Sequence, residues 1–339
     1  MIYPKFLKEY DSIGIIAPSD GVTNELKKNR LDNAIKNLKL LKFNIVEGKN
    51  IRNSVKGRSG SVVERLNELY DMYNNPNVKM ISSVSGGDYL IEILDKLDYE
   101  VINKNTKWIQ GYSDPTGILY TITTKLDIAT IYGNNFCSYG MEKMHKSLQN
   151  NIEILKGNII KQNSFQKYEN GYSNYITGLE EYRLDRNVKW ININNKQQIK
   201  FNGRVIGGCT DVLLKVVNTK FDYTKEFIKR YCNDKIIWYF DNYDITEKNI
   251  FYSLSKFNEA GWFKNIGGIL FGRNTMDKTG VTKNFMLEVQ KFLIINNINI
   301  DVIFDVDIGH KPPQLTIING SLVDVISKDN EGQIITYLR

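Results

Sequence analysis

The sequence predicts an α/β fold: a parallel β-sheet with helices on both faces, followed by a second α/β domain. Three observations predict it. Apolar runs of β-type residues alternate with stretches of helical periodicity through the first half of the chain. The helical stretches are long enough to serve as the crossovers that parallel strands require. Glycines and small polar residues stand just after the apolar runs, at the carboxyl ends of strands, where open α/β sheets hold their ligands.

Ile13-Gly14-Ile15-Ile16-Ala17-Pro18 reads as a buried strand closed by a turn. Leu26, Leu31, Ala34, Leu38 and Leu41 follow at broadly helical spacing. Phe43 to Val46 is a short strand, and Val62, Leu66, Leu69 and Tyr73 mark a helix stopped near Asn75-Pro76. The next units are strand 78–84, helix 88–97, strand 107–112, helix 115–125 and strand 128–132. Together, residues 1–150 form one domain. Residues 151–195 are rich in Asn, Lys and Tyr and read as a linker and domain entry. Residues 196–339 form the second domain, with short β-type runs at Val205–Gly208, Lys235–Phe240 and Gly267–Phe271 and helices over 246–260 and 282–295. From Val302 to Leu338 the chain is strand and turn in character.

The totals narrow the function. A chain of 339 residues, 42% hydrophobic and 24% charged, has the balance of a two-domain globular protein rather than a disordered one. No apolar run approaches the roughly 20 residues of a membrane-spanning helix. Met1 to Lys5 lacks the basic segment and apolar core of a secretory signal, so a cytoplasmic protein without a membrane partner is expected. Cys137, Cys209 and Cys232 are scattered, with no pairing or zinc-site spacing, and read as small buried hydrophobes. The net charge of +7 is spread along the chain without an aromatic-interleaved basic block, which argues against nucleic acid. Dinucleotide, P-loop and HExxH motifs are absent, and no metal or cofactor is expected.

Chemistry gathers at three places. Gly111-Tyr112-Ser113-Asp114-Pro115-Thr116 puts a serine in a tight strand-to-helix turn, where a hydroxyl can be presented beside free backbone amides. The same serine could instead cap the following helix. Gly86-Gly87, after the strand at 78–84, could form an oxyanion hole or only a tight connection. Of two histidines, His145 reads as the exposed face of a helix, whereas His310 follows Gly309 in a turn and is better placed as a base. Asp241 ends the apolar run Ile236-Ile237-Trp238-Tyr239-Phe240 and could orient that base. Nucleophile, base and acid together indicate a serine hydrolase.

These segments, in order, resemble the LD-carboxypeptidase family of serine peptidases, which includes the microcin C self-immunity proteins. The resemblance is carried by Ile13–Ser19, Ser85-Gly86-Gly87-Asp88, Gly111–Thr116, Gly207-Gly208 with Leu213-Leu214, Gly267–Arg273 and Ile308-Gly309-His310. It implies a Rossmann-like (flavodoxin-like) N-terminal domain and a C-terminal domain built around a β-barrel. By position it makes Ser113 the nucleophile, His310 the general base, and the amides of Asp114 and the Gly86-Gly87 turn the oxyanion donors. It also implies a homodimer and a small peptide substrate: murein tetrapeptide, losing terminal D-Ala from an L-centre. A peptidyl-nucleotide is the alternative substrate, with Trp190 or Trp262 as an aromatic platform and Trp238 in the core. A non-catalytic peptide-binding homologue is a third reading.

The sequence departs from the family pattern at the acid. Where glutamate is usual the chain has Asp241, shorter by roughly 1.5 Å, with Asp244 and Glu247 as nearby substitutes. Asp88 stands where tyrosine is common, Ser85 stands in place of arginine or an apolar residue, and Cys209 replaces an asparagine.

Overall fold

The computed structural model describes residues 1–171, 175–194, 196–275 and 283–339. The chain divides into an N-terminal unit, Ile2–Ile159 with Ser173–Tyr182, and a C-terminal unit, Met1 with Ile160–Tyr172 and Arg183–Arg339.

The N-terminal unit alternates strand and helix: β1 Ser12–Ile16, α1 Glu25–Leu40, β2 Asn44–Glu47, α2 Val62–Asn74, β3 Val78–Ser83, α3 Ile91–Leu94, α4 Tyr99–Lys104, β4 Trp108–Gly111, α5 Thr116–Leu126, β5 Thr130–Tyr132 and α6 Lys146–Leu155. The pairings among these five strands are parallel, in the order β2-β1-β3-β4-β5. That is the flavodoxin-like order, whose switch point lies between β1 and β3. The loops after β1 and β3, carrying Ser19 and Gly86-Gly87, therefore flank the crevice where such sheets bind ligands.

Local chemistry fixes these elements. β1 is buried along its whole length, as expected of a strand covered on both faces. Ser61 and Glu64 form a reciprocal capping box that starts α2. Glu68, buried on α2, accepts hydrogen bonds from Ala17 N at 2.9 Å and Asn50 N at 2.8 Å, pinning the chain as it leaves β1. Burial pushes its carboxyl pKa up. The helix expected over 88–97 shortens to the single turn of α3. Asp98 then caps a separate helix, α4, by accepting from Glu100 N and Val101 N.

The C-terminal unit contains β6 Lys161–Asn163, β7 Lys167–Tyr168, β8 Arg186–Asn187, β9 Ile191–Asn192, β10 Gln198–Cys209, α7 Thr210–Val216, α8 Thr224–Arg230, β11 Ile236–Asp241, α9 Ile250–Glu259, β12 Ile266–Gly272, α10 Lys283–Ile295, β13 Asp301–Val306, β14 Ile317–Asn319, β15 Leu322–Lys328 and β16 Glu331–Tyr337. The β-structure expected as a barrel is an eight-stranded mixed sheet in the order β6-β16-β15-β10-β11-β12-β13-β9. Its centre, β10 to β13, is parallel, and both flanks are antiparallel. Residues 151–195, read as a linker and domain entry, supply α6 with its last turn and this sheet with β6 and β9. As the sheet's two edge strands, these pair their backbone groups with β16 and β13.

One face of the central strands carries stacked aromatic rings. Trp238 lies 5.0 Å from Trp262, Phe257 4.6 Å from Trp262, and Phe271 5.3 Å from Phe304. Among the described residues, no helix is long and apolar enough to cross a membrane.

Candidate active site

Ser113 occupies the turn between β4 and α5 with φ +68°, a left-handed conformation that costs a non-glycine residue about 1–3 kcal/mol unless its surroundings enforce it. The helix-cap alternative does not describe this residue. α5 begins at Thr116, and Pro115, which makes no side-chain capping bond, holds the capping position.

The enforcement is visible on both sides of the turn. Asn135 clamps Tyr112, accepting from its N–H at 3.1 Å and donating to its carbonyl at 3.3 Å. Ser113 N donates to Tyr132 Oη at 3.4 Å. Gly86 packs directly on the serine: a Cβ added there would lie 3.1 Å from Ser113 Cβ and 3.2 Å from its Oγ. Asp114 N is 3.9 Å from the same point. Three expected residues, Gly86, Ser113 and Asp114, are thus neighbours. Gly87, at φ +152°, allows no side chain, because a Cβ would overlap Ser19 Oγ.

The second cluster lies in the C-terminal unit. Asp241, the last residue of β11, is fully buried. Its carboxylate faces His310 Nδ1, with Oδ2 at 2.9 Å and Oδ1 at 3.0 Å. The shorter aspartate reaches because the His310 loop comes to it. Gly309, at φ +99°, leans on the carboxylate so closely that any Cβ would overlap Oδ1. Tyr243, 40% exposed, tilts its ring over the imidazole with centroids 4.7 Å apart. Asp211 holds that aromatic in place by accepting from the Tyr243 and Asp244 amides at 3.1 and 3.2 Å, and burial pushes the Asp211 carboxyl pKa up.

A buried ion pair fixes the loop bearing His310. Arg273 Nη2 donates to Asp307 Oδ1, and Arg273 Nη1 to the Lys311 carbonyl at 3.3 Å. Trp190 Nε1 donates to Asp307 Oδ2 at 2.9 Å, and the Arg273 guanidinium lies 4.3 Å over the Tyr168 ring. Residues on both sides of His310 are therefore held by Arg273, the final residue of the Gly267–Arg273 segment.

Two family models match the chain: the LD-carboxypeptidase N-terminal domain over residues 13–133 and the LD-carboxypeptidase C-terminal domain over residues 202–325. The chain belongs to the LD-carboxypeptidase family. It is 28% identical over 345 residues to the microcin C7 self-immunity protein of Escherichia coli, covering 96% of this chain and 93% of that one. It is 26% identical over 322 residues to a Vibrio cholerae protein bearing a carboxypeptidase name, covering 93% and 92%. Among solved structures, a microcin self-immunity-like protein from Bacillus anthracis superposes with a TM-score of 0.83 at 23% identity, covering 99% of this chain and all of that one. That last likeness concerns the fold.

Within the LD-carboxypeptidase frame several expectations change. Trp190 and Trp262 are not exposed platforms. Both are buried, Trp190 under Gly332 and bonded to Asp307, Trp262 stacked on Trp238. His145 is not on an exposed helix face. It is half-buried and caps α6, its Nδ1 accepting from Ser147 N at 3.1 Å, and burial lowers its pKa. Cys232 is exposed rather than buried. In the sequence Ser19 has a place at the end of the Ile13–Ser19 segment but no role of its own. Among the described residues, no group of three or more His, Cys, Asp or Glu could hold a metal ion.

Proposed function

We propose that this protein is a serine amide hydrolase of the LD-carboxypeptidase type, with Ser113 as nucleophile, His310 as general base and Asp241 as the acid that orients it. The observation that carries this reading is the buried Asp241 carboxylate against His310 Nδ1. It sets the tautomer with Nε2 as the acceptor and stabilises the imidazolium once a proton arrives. His310 removes the proton from Ser113 Oγ as that oxygen attacks the scissile carbonyl. The Gly86-Gly87 turn and the Asp114 amide stabilise the tetrahedral oxyanion. His310 then protonates the leaving amine, and water hydrolyses the acyl-enzyme.

The substrate proposed first is murein tetrapeptide, cleaved at the bond between an L-centre and terminal D-Ala, because the family resemblance carries that specificity. The similarity across 96% of the chain to a microcin C7 self-immunity protein favours a peptidyl-nucleotide as the second reading. We also propose a cytoplasmic homodimer, testable by size-exclusion chromatography with light scattering. The deciding experiment incubates wild type and Ser113→Ala with murein tetrapeptide and follows D-Ala by mass spectrometry. Release by wild type alone is expected. Equal release by both would sink the assignment of Ser113, and no release would move the substrate to peptidyl-nucleotides.

A further inference from the structure

We propose that Ser19 and the Asp114 side chain are positioning residues, which lock the double-glycine turn against Ser113 and so set the oxyanion geometry. The inference deepens the serine-hydrolase reading and rests on it. The segments that must keep register within the N-terminal unit come from three loops: 17–20 after β1, 84–90 after β3, and the turn 111–115 after β4. Arg65, its side chain fully buried, ties the first two together by donating to the Pro18 carbonyl at 3.2 Å and the Tyr89 carbonyl at 3.0 Å. It has no bond to the third.

The link to the third loop is the Asp114 carboxylate. Asp114 is 2% exposed and Ser19 fully buried. Asp114 Oδ2 accepts from Ser19 Oγ at 2.5 Å and from Leu90 N at 2.9 Å. Ser19 Oγ in turn accepts from Tyr89 N at 3.3 Å and fills the space a Gly87 side chain would need. One buried oxygen therefore joins all three loops, in a low-dielectric site where hydrogen bonds to a charged acceptor are short and strong. Its own residue supplies the amide next to the nucleophile, so any slack in the bonds to Ser19 and Leu90 separates Gly86 from Ser113. The turn also stores the strain of Ser113, which persists only while its neighbours over-determine it.

The test needs no knowledge of the natural substrate. A fluorophosphonate forms a bond from phosphorus to Ser113 Oγ, expels fluoride, and passes the hydroxyl proton to His310, with the phosphoryl oxygen in the oxyanion site. For wild type, Ser19→Ala, Asp114→Ala and Asp114→Asn, the inactivation rate constant and the inhibitor's binding constant are measured separately, alongside thermal melting. Ser19→Ala and Asp114→Ala should lose about 10- to 100-fold in the rate constant with the binding constant unchanged, as a displacement of an ångström or less in a catalytic site does. Asp114→Asn keeps an oxygen able to accept both bonds and should stay within about 10-fold of wild type. A purely structural brace would lower the melting temperature while the folded protein reacted at the wild-type rate. That result, or an Asp114→Asn defect equal to Asp114→Ala, overturns the proposal. Failure of wild type to react at Ser113 overturns the hydrolase reading itself, and the positioning role with it.

Discussion

Gly309→Ala tests whether backbone approach, rather than side-chain length, lets Asp241 serve His310. The added Cβ would overlap Asp241 Oδ1, and neither partner can yield cheaply. The carboxylate is fully buried, and the loop on the other side is fixed by Arg273 through Asp307 and the Lys311 carbonyl. Holding φ +99° with a side chain costs a further 1–3 kcal/mol or so. If the clash swings the carboxylate off Nδ1, the loss should approach that of removing a triad acid, about 10⁴ in turnover. That corresponds to about 5 kcal/mol in the barrier. The assay is fluorophosphonate inactivation of Ser113, with Asp241→Asn as the reference and circular dichroism melting to establish folding. A folded Gly309→Ala protein that reacts within ~10-fold of wild type would refute the reasoning, because the acid would then have kept its hold on His310 despite the clash.

Two further outcomes are expected. Arg273→Met should leave the Asp307 carboxylate buried without its cation, a loss on the order of 3–5 kcal/mol; an unchanged denaturation midpoint would refute the anchoring role. The His145 cap requires a neutral Nδ1, and burial lowers the folded-state pKa below the unfolded value near 6.5. Its contribution is complete above that value and is lost as the pH falls toward the lower folded-state pKa, where only the unfolded chain binds the proton readily. The melting temperature of wild type should therefore fall more steeply below about pH 6.5 than that of His145→Asn, which keeps a capping side chain. Parallel curves would count against the cap.

The sequence by itself determined the alternation that makes the N-terminal sheet parallel, since strands separated by crossover helices have few other solutions. The positions of Ser113, Gly86-Gly87 and Asp241 at strand ends were legible as well, because glycine, a hydroxyl or an acid just past an apolar run marks the end of a strand, and His310 stood out as a histidine in the turn after Gly309. Other features depended on residues far apart in the chain. Ser19 is 95 positions from Asp114, and its hydroxyl reads as ordinary turn chemistry until β1, β3 and β4 lie side by side. Trp190 is 117 positions from Asp307, so a tryptophan that could have faced a ligand proved to be a buried hydrogen-bond donor. The close approach of the His310 loop to the Asp241 carboxylate was decided at Gly309, 68 positions away, through a backbone contact that no side-chain inventory contains. Periodicity and turn chemistry are local and can be read along the chain. Burial, close approach and the partner of a polar atom arise only when the sheets form, and in this protein they set the geometry of both candidate clusters.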